Sequence, residues 1–296
     1  MRKIFFVYNP HSGKGKLAKQ LDRLTALFGE NGYEVNVHPT EAAGDAIAWT
    51  KEVAADHDLI LVSGGDGTLN EAVTGLLQSG CHVPIGYIPS GSTNDFGSSI
   101  GMSTHPLEAA RSIISGQILP CDIGTLNQKP FVYIAAFGMF TDIAYKTSQS
   151  LKHVLGHTAY LLEIGKEMFR VPSYHMTLRM GDVMIEDDFA YGMITNTTSV
   201  GGMKHVIGQD VALDDGLFEV TLVRTPKNPI EFHVAVNSLL FGQKKSPLIL
   251  QMKAHRLSIQ ADTEVAWTLD GEYGGDHDAV VIENQRRAVS FLHGVS

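Results

Sequence analysis

The stretch that most restricts how this chain can fold is Asp58–Glu71, which reads DLILVSGGDGTLNE. It opens with an apolar run, Leu59–Val62, that has the length and the branched side chains of a strand buried on both faces. A glycine-rich turn follows, and apolar residues then recur at helical spacing, at Leu69, Ala72, Val73, Leu76 and Leu77. The sequence therefore predicts a strand, a glycine turn and a helix.

The glycine turn is a candidate phosphate site. Its glycines at 64, 65 and 67 can adopt positive φ and leave their amide groups uncovered, so an anion can approach the start of the helix. Asp66, in the middle of the turn, would repel a bare phosphate, which makes sense if a divalent cation lies between the two groups. The alternative is a tight strand-to-helix turn in which Asp66 caps the helix.

Composition restricts the class of protein. The chain has 296 residues, of which 44% are hydrophobic and 19% charged, as is typical of a soluble globular protein with room for two domains. Its net charge of −9 argues against nucleic-acid binding. The N-terminus enters a strand pattern without a signal peptide, and the longest nearly apolar run, Phe131–Phe140, is too short to cross a bilayer. We therefore expect a cytoplasmic protein.

The first part of the chain alternates strands with helices. Strands are predicted at Lys3–Tyr8, Tyr33–Val37, Leu59–Val62, Val83–Ile88 and Ile118–Leu126. Helices are predicted from Leu17 to Phe28, over Gly44–Ala55, after the glycine turn, and over Pro106–Ser115. This alternation predicts a parallel sheet whose ligand loops lie at the carboxyl ends of its strands.

Two further loops at that edge of the sheet carry polar residues. After the first strand, Ser12 and the amides near Gly13 offer a second phosphate contact. This loop is not a Walker A motif, because Pro10 stands in place of the leading glycine. The loop after the fourth strand ends in Asp95, which could converge with Asp66 on one metal ion or could simply cap the next helix.

From about Asn127 the pattern changes to strands separated by turn residues, which is typical of an antiparallel sandwich. Strands are predicted at Phe131–Phe137, Tyr174–Met180, Val183–Ile185, Phe189–Thr195, Leu217–Val223, Leu248–Ile259 and Val265–Leu269. Two helical insertions are predicted over Thr141–Phe169 and Pro229–Phe241, and Ala279–Leu292 is interpreted as a final hairpin.

The predicted fold class is therefore α/β with two domains. The first is a Rossmann-like, three-layer nucleotide-binding domain at residues 1–126, with the C-terminal segment of about 279–296 packing back on it. The second is an antiparallel β-sandwich at residues 127–278.

The second half also contains two acidic turns. Asp214-Asp215-Gly216 fits a hairpin turn or a cation site that uses one carboxylate with flanking carbonyl groups. Asp270-Gly271-Glu272 is similar in form, and a simple Asp-Gly turn is the plainer explanation of both.

Five motifs now stand in one order: Asn9 to Gly13, Gly64 to Thr68, Pro89 to Asp95, Asp214-Asp215-Gly216 and Asp270-Gly271-Glu272. In this order they resemble the catalytic domain of diacylglycerol kinases, and the chain is similar to the soluble bacterial lipid kinases related to sphingosine and ceramide kinases. One position departs from the family, which usually has threonine where this chain has Ser92. A hydroxyl group is kept there.

The resemblance implies a role for each matching residue. The implied ATP contacts are Asn9, Pro10, His11, Ser12, Gly13, Thr40, Gly65, Asp66, Gly67, Thr68, Leu69, Asn70, Glu71 and Ser92. Asp66, Asp95 and Asp122 resemble the acids that organise catalytic Mg²⁺ through water. Asp215, with the backbone near Ala212 and Leu217, resembles a structural magnesium site. The general base is drawn from Asp270 and Glu272, and we favour Glu272, because the Asp of an Asp-Gly pair is often engaged in its own turn.

The function implied is that of an ATP- and Mg²⁺-dependent lipid kinase, acting on diacylglycerol to give phosphatidic acid. Phosphatidylglycerol, ceramide or a sphingoid base are open alternatives, as are an NAD kinase or a phosphofructokinase and, without catalysis, a nucleotide or lipid sensor. The expected partner is a membrane lipid. We expect the protein to bind peripherally to the inner face of the membrane, through contacts made by the insertion at Thr141–Phe169. No nucleic acid is expected, and a homodimer stays open.

Overall fold

The computed structural model describes residues 1–15, 17–138, 171–201, 211–241 and 246–294. The helical insertion predicted over Thr141–Phe169 lies outside these ranges, and so do the membrane contacts expected from it. The elements and contacts of the fold are those of the described residues.

Four parallel strands and five helices make up the first part of the fold. The strands are β1 (Arg2–Tyr8), β2 (Tyr33–Pro39), β3 (Leu59–Gly64) and β4 (Ile85–Pro89). The helices are α1 (Leu21–Glu30), α2 (Asp45–Val53), α3 (Asp66–Ser79), α4 (Asp95–Ser99) and α5 (Pro106–Ser115). The predicted parallel sheet is thus confirmed, although the helix predicted from Leu17 begins at Leu21, after a short 3₁₀ turn.

The order of these strands leaves a crevice where ligands bind in such sheets. β1 pairs with β2 on one side and with β3 on the other, and β3 pairs with β4. The strand order therefore reverses at β1, because β2 and β3 lie on opposite sides of it. Open α/β sheets bind their ligands at such a reversal, beyond the carboxyl ends of the strands. The strand β3 is buried along its whole length, as its apolar run predicts.

The second part of the fold is antiparallel. Its strands are β5 (Gln117–Leu126), β6 (Lys129–Phe131), β7 (Ile134–Gly138), β8 (Tyr174–Met180), β9 (Val183–Thr195), β10 (Phe218–Arg224), β11 (Ile249–Ala254), β12 (Arg256–Leu269) and β13 (Glu272–His293). One helix, α6 (Pro229–Phe241), has the predicted bounds. The strands β9 and β12 are long enough to pair with β8 over one half and with β7 over the other, so β12, β7, β9 and β8 form a closed ring. A second apolar core, which includes Phe137, Phe189 and Trp267, packs among these strands.

One strand connects the two parts. β13 begins as the antiparallel partner of β12 and ends as the parallel partner of β4, where Phe291 lies opposite Ile85. The interpretation of Ala279–Leu292 as a hairpin is therefore wrong, because this segment belongs to a single strand of 22 residues. A bulge between Gln285 and Val289 bends this strand, and Arg287 there has φ of +51°. The division into domains at residue 126 stays a prediction.

Two other strand predictions are wrong. The strand predicted over Leu248–Ile259 is interrupted at His255, which separates β11 from β12. The segments Val183–Ile185 and Phe189–Thr195 form the single strand β9, because the acidic residues between them stay paired with β8. In both cases long-range pairing decides where the strand ends, and the local alternation of apolar residues carries no signal of it.

The contact between β5 and β6 gives a test of the fold. A Cβ atom at Gly124 would lie 2.1 Å from the ring of Phe131, which is fully buried and stacks on Phe218. We expect Gly124→Ala to lower the free energy of unfolding in urea by about 1–3 kcal/mol, because the ring has no room to retreat. The control is Gly29→Ala on α1, where a Cβ meets nothing within 4 Å. It should be neutral or add about 0.5–1 kcal/mol. Equal effects of the two substitutions would contradict this packing.

Candidate active site

The predicted nucleotide loops meet at the carboxyl edge of the parallel sheet. Backbone hydrogen bonds hold each loop against a neighbouring strand or loop: Asn9 N to Ser63 O at 2.9 Å, Thr40 N to Tyr8 O at 2.8 Å, and Ser90 N to Gly64 O at 2.9 Å. The Ser12 hydroxyl donates to Ser90 O at 2.8 Å. The loops after β1, β3 and β4 therefore form one surface.

The glycines of these loops allow their backbones to touch. A Cβ atom at Gly91 would lie 2.5 Å from the Cα of Gly65, and a Cβ atom at Gly13 would lie 2.5 Å from the carbonyl oxygen of Ser90. Helix α3 starts directly after Gly65, and no side chain caps its first turn. Its first amide groups are therefore available to an anion.

Asp66 does not cap its own helix, so the alternative explanation of the glycine turn, in which this residue is the helix cap, does not apply. Its Oδ2 atom accepts a hydrogen bond of 3.3 Å from the backbone N–H of Asp95, at the start of α4. Its Oδ1 atom is buried and has no hydrogen-bond partner among the described residues. Burial, followed by the nearby charges of Asp95 and Asp270, raises the pKa of Asp66 to about 7.

The second part of the chain fixes Asp95. This carboxylate is 3% exposed, and it accepts hydrogen bonds of 2.8 Å from the hydroxyl of Ser199 and from the N–H of Gly201. The hydroxyls of Ser99 and Thr197, 2.5 Å apart, join α4 to the same segment. Reasoning from the sequence missed Ser199, and the only signal for it was the polar run that follows β9.

Asp270 and Glu272 have different surroundings. Asp270 and Gly271 form a two-residue hairpin loop with positive φ at both positions, +51° and +86°. The buried Asp270 carboxylate accepts four hydrogen bonds: from Val132 N (2.7 Å), Tyr133 N (2.9 Å), Ile134 N (3.1 Å) and Asn70 Nδ2 (2.6 Å). Burial raises the pKa of Asp270, and these donors oppose the increase. Glu272 is exposed instead, and a Cβ atom at Gly67 would lie 3.6 Å from its Oε1 atom, so this carboxylate lies against the start of α3.

Asp122 is tied to the other acidic turn. It is fully buried, and its two oxygens accept hydrogen bonds from Gly216 N at 2.6 Å and from Arg287 N at 2.7 Å. Its predicted partnership with Asp66 and Asp95 around a magnesium ion stays a prediction.

The remaining predicted metal residues surround the same turn. Asp215 accepts a hydrogen bond from its neighbour Leu217 N, and Ala212 lies just before the turn, half-buried. Within the described ranges, no group of three or more His, Cys, Asp or Glu side chains is arranged to bind one metal ion directly.

Several of the implied ATP contacts have structural partners of their own. Asn9 accepts from His11 N, Glu71 accepts from Gly44 N, and Asn70 donates to Pro130 O as well as to Asp270. Leu69 is fully buried, so only its backbone is available to a ligand. Pro10, Ser12, Gly13 and Ser92 lie on the loops after β1 and β4, Gly65 is the N-cap of α3, and Gly67 and Thr68 lie in its first turn.

These features define a class of protein. An open parallel sheet with glycine loops at its carboxyl edge, an uncapped helix start and clustered carboxylates is the site of an enzyme that handles a phosphorylated ligand.

Comparison with known proteins gives the particular family. The family model for the diacylglycerol kinase catalytic domain matches residues 3–126. A diacylglycerol kinase of Bacillus subtilis (strain 168) is 35% identical over 280 residues, which cover 93% of this chain and 91% of that protein. One of Staphylococcus carnosus (strain TM300) is 31% identical, over 91% of this chain and 88% of that protein. This chain belongs to the diacylglycerol kinase family, which makes it a lipid kinase.

Solved structures share the fold. A crystal structure of a diacylglycerol kinase from Bacillus anthracis (strain Sterne) matches with a TM-score of 0.78 at 23% identity, over 99% of this chain and 97% of that one. Another structure from the same organism gives a TM-score of 0.83 at 24% identity. The predicted α/β fold class is therefore confirmed. No helix in the described part of the chain has the length and apolar character needed to cross a membrane.

The state of Asp66 predicts how the stability of the protein depends on pH. Its pKa is raised from 3.8 to about 7, so between these values the native state binds a proton that the unfolded chain lacks. The free energy of unfolding should therefore fall as the pH rises through this range. Asp66→Asn lacks this titrating group. In the absence of divalent cations, its free energy of unfolding should therefore gain roughly 2–4 kcal/mol on that of wild type as the pH rises from about 4 to about 8.

The measurement is urea unfolding of both proteins in a chelating buffer across this range. Asp56→Asn, at an exposed position, is the matched control and should follow wild type at every pH. A difference between Asp66→Asn and wild type that does not change with pH would contradict the raised pKa of this carboxylate.

Proposed function

We propose that this protein transfers the γ-phosphate of ATP to the free hydroxyl of diacylglycerol, giving phosphatidic acid. The observation that carries the proposal is the meeting of Asp66, Asp95, Asp270 and Glu272 around the uncapped start of α3. The relatives named diacylglycerol kinase, in Bacillus subtilis and Staphylococcus carnosus, support the choice of acceptor.

The phosphates of ATP are bound by backbone groups. The N–H groups from Gly65 to Thr68 carry the positive end of the helix dipole, and the glycines leave room for phosphate oxygens. The loop at Ser12 and Gly13 and the hydroxyl of Ser92 lie on the same surface, where they can add donors. Phosphoryl transfer depends mainly on positioning and on charge neutralisation, and both are provided at this edge.

The surroundings of Asp66 fit a divalent cation. Its buried Oδ1 atom has no partner among the described residues, and its pKa is raised first by burial and then by the negative charges of Asp95 and Asp270. Asp66 and Asp95 would hold Mg²⁺ through water, which agrees with the lack of a direct ligand cluster in the described part of the chain. When bound, Mg²⁺ spreads the charge that develops on the transferred phosphoryl group.

Glu272 is the general base. Its carboxylate is exposed and lies against the first turn of α3, where it can take the proton of the acceptor hydroxyl. Asp270 acts as a positioning residue, because its four hydrogen bonds fix the hairpin that carries Glu272. Glu272 is therefore preferred to Asp270 as the base, because the Asp270 carboxylate is already engaged in hydrogen bonds.

The acceptor is a membrane lipid, so the protein works peripherally, on the inner, cytoplasmic face of the membrane. Phosphatidylglycerol, ceramide and sphingoid bases are the alternative acceptors. They would meet the same base and differ in the apolar wall that surrounds their chains.

Amide variants separate the two carboxylates. Glu272→Gln should lower kcat by about 10²–10⁴-fold without changing ATP affinity or the free energy of unfolding, because it removes only a base. Asp270→Asn should also lower the free energy of unfolding, by about 1–3 kcal/mol, since an amide cannot accept all four donors. Kinetics, ATP titration and urea unfolding measure these effects.

The matched control for Glu272→Gln is Glu264→Gln, an exposed position on the neighbouring strand β12, which should keep full activity. If Glu272→Gln retained most of its turnover while it bound ATP normally, the assignment of the base would be wrong.

A substrate panel tests the reaction itself. Purified protein with labelled ATP and Mg²⁺ should move label into phosphatidic acid when diacylglycerol is supplied in mixed micelles, and Glu272→Gln should not. Parallel reactions contain phosphatidylglycerol, ceramide, sphingosine, NAD or a sugar phosphate. Label that enters NAD or the sugar phosphate would contradict the proposal, and ATP binding without transfer to any acceptor would favour a sensor.

A further inference from the structure

We propose that the hydroxyl group of Tyr133 binds the acceptor substrate and orients the acceptor hydroxyl beside Glu272. Tyr133 lies between β6 and β7, outside the five sequence motifs. The inference rests on the proposed function, because it requires an acceptor hydroxyl at the start of α3. It goes beyond that function by assigning a second group, next to the base, to the acceptor side of the site.

The backbone of Tyr133 is fixed on both sides. Its N–H group donates to Asp270 Oδ1 at 2.9 Å, and its carbonyl oxygen accepts from Asn196 N at 3.0 Å. The first contact joins Tyr133 to the hairpin loop that precedes Glu272, and the second joins it to the residue that follows β9. The point from which the phenol ring extends is therefore held in place by the antiparallel part of the fold.

The side chain of Tyr133 extends toward the parallel part of the fold. It is 7% exposed and belongs to the apolar core that contains the parallel strands. Phe131 and Ala135, two residues before and after it, belong to the second core instead. The ring of Tyr133 therefore lies where the two parts of the fold meet.

The surroundings of this phenol keep it protonated. Burial raises the pKa of Tyr133 well above its ordinary value, and the nearby charges of Asp66, Asp270 and Asp95 raise it further, in that order. The phenol is therefore neutral at neutral pH, and it lies near the three carboxylates of the site. A neutral O–H group can donate a hydrogen bond there without adding negative charge.

The hydroxyl of Tyr133 is available to a ligand. No hydrogen bond joins it to another residue in the described part of the chain, and its oxygen is not among the fully buried atoms that lack a partner. Tyr87 is another buried tyrosine near these acids, but its hydroxyl donates to Gly64 O at 3.2 Å. Since polar groups of buried residues are nearly always paired, the unpaired hydroxyl of Tyr133 favours a partner that arrives with the substrate.

The position of Tyr133 favours the acceptor over ATP. The N–H groups proposed for the phosphates, from Gly65 to Thr68, belong to the parallel part of the fold. Tyr133 is bonded instead to the hairpin loop that carries Glu272, so an acceptor between this hairpin and α3 would meet both side chains. An alcohol has one proton and two lone pairs. Its proton faces Glu272, one lone pair accepts from Tyr133, and the other faces the γ-phosphorus.

The transfer step balances with this assignment. The acceptor oxygen forms a bond to the γ-phosphorus, and the bond from this phosphorus to the bridging oxygen of ATP breaks, with its electron pair leaving on ADP. The acceptor proton goes to Glu272. Tyr133 keeps its own proton throughout, and its hydrogen bond fixes the direction of the attacking lone pair.

The test removes this one hydroxyl. Tyr133→Phe should lower kcat/KM for diacylglycerol by about 5–30-fold, because one neutral hydrogen bond to the acceptor is lost. ATP affinity, measured by titration, should not change. The free energy of unfolding in urea should not fall, because the hydroxyl has no partner in the described part of the chain.

Two other tyrosines are matched controls. Tyr33→Phe, at a buried position at the amino end of β2, should keep full activity. Tyr87→Phe removes a buried hydroxyl that has a partner, so it should lower the free energy of unfolding.

Each result has a definite meaning. If wild type is active and Tyr133→Phe is equally active, the inference is wrong and the proposed function stands. Weaker ATP binding by Tyr133→Phe would also overturn it, since the hydroxyl would then contact the nucleotide. A loss of stability as large as that of Tyr87→Phe would reveal a protein partner and would overturn it too. If wild type transfers phosphate to no acceptor, the proposed function fails, and this inference fails with it.

Discussion

The structure depends on how the carboxylates of Asp66, Asp95 and Asp270 are accommodated at one helix start, where burial and the charges of the other two acids raise the pKa of Asp66. Distant segments provide hydrogen-bond donors for Asp95 and Asp270, namely Ser199 and Gly201 for the first, and the amides of residues 132–134 with Asn70 for the second. Asp66 keeps an oxygen that has no partner in the described part of the chain. The arrangement that costs stability in the free protein is therefore the one that the proposed cation would relieve.

The sheet holds Glu272 and the loops at the start of α3 in fixed positions relative to each other. β13 starts with Glu272 beside α3 and ends next to β4, so the proposed base and the proposed phosphate loops belong to one hydrogen-bonded sheet. The hairpin loop Asp270-Gly271, which connects β12 to β13, has the backbone twist that these two strands require. The Asp270 carboxylate also accepts a hydrogen bond from Ile134 N at the start of β7, which fixes the loop. Sites built on strands hold their groups more precisely than sites built on mobile loops.

The sequence predicted the features that depend on local pattern. The buried strand β3, the helix after its glycine turn and the meeting of Asp66 with Asp95 all follow from apolar periodicity and from the geometry of parallel sheets. Features that depend on distant pairing were not predictable. Ser199 binds Asp95 across 104 residues of sequence, and β13 stays one strand because it has partners along both halves. The resemblance supplied Glu272, but only the contacts of Asp270 explain why the two acids differ.

A diffraction structure of the protein with ADP and Mg²⁺ tests most directly whether the start of α3 binds the nucleotide phosphates and Asp66 binds the cation. We expect the terminal phosphate of ADP to lie within hydrogen-bond distance of the amides at the start of α3, and water molecules to link the metal ion to Asp66. A nucleotide phosphate bound elsewhere on the chain, or a metal ion with no link to Asp66, would contradict this expectation.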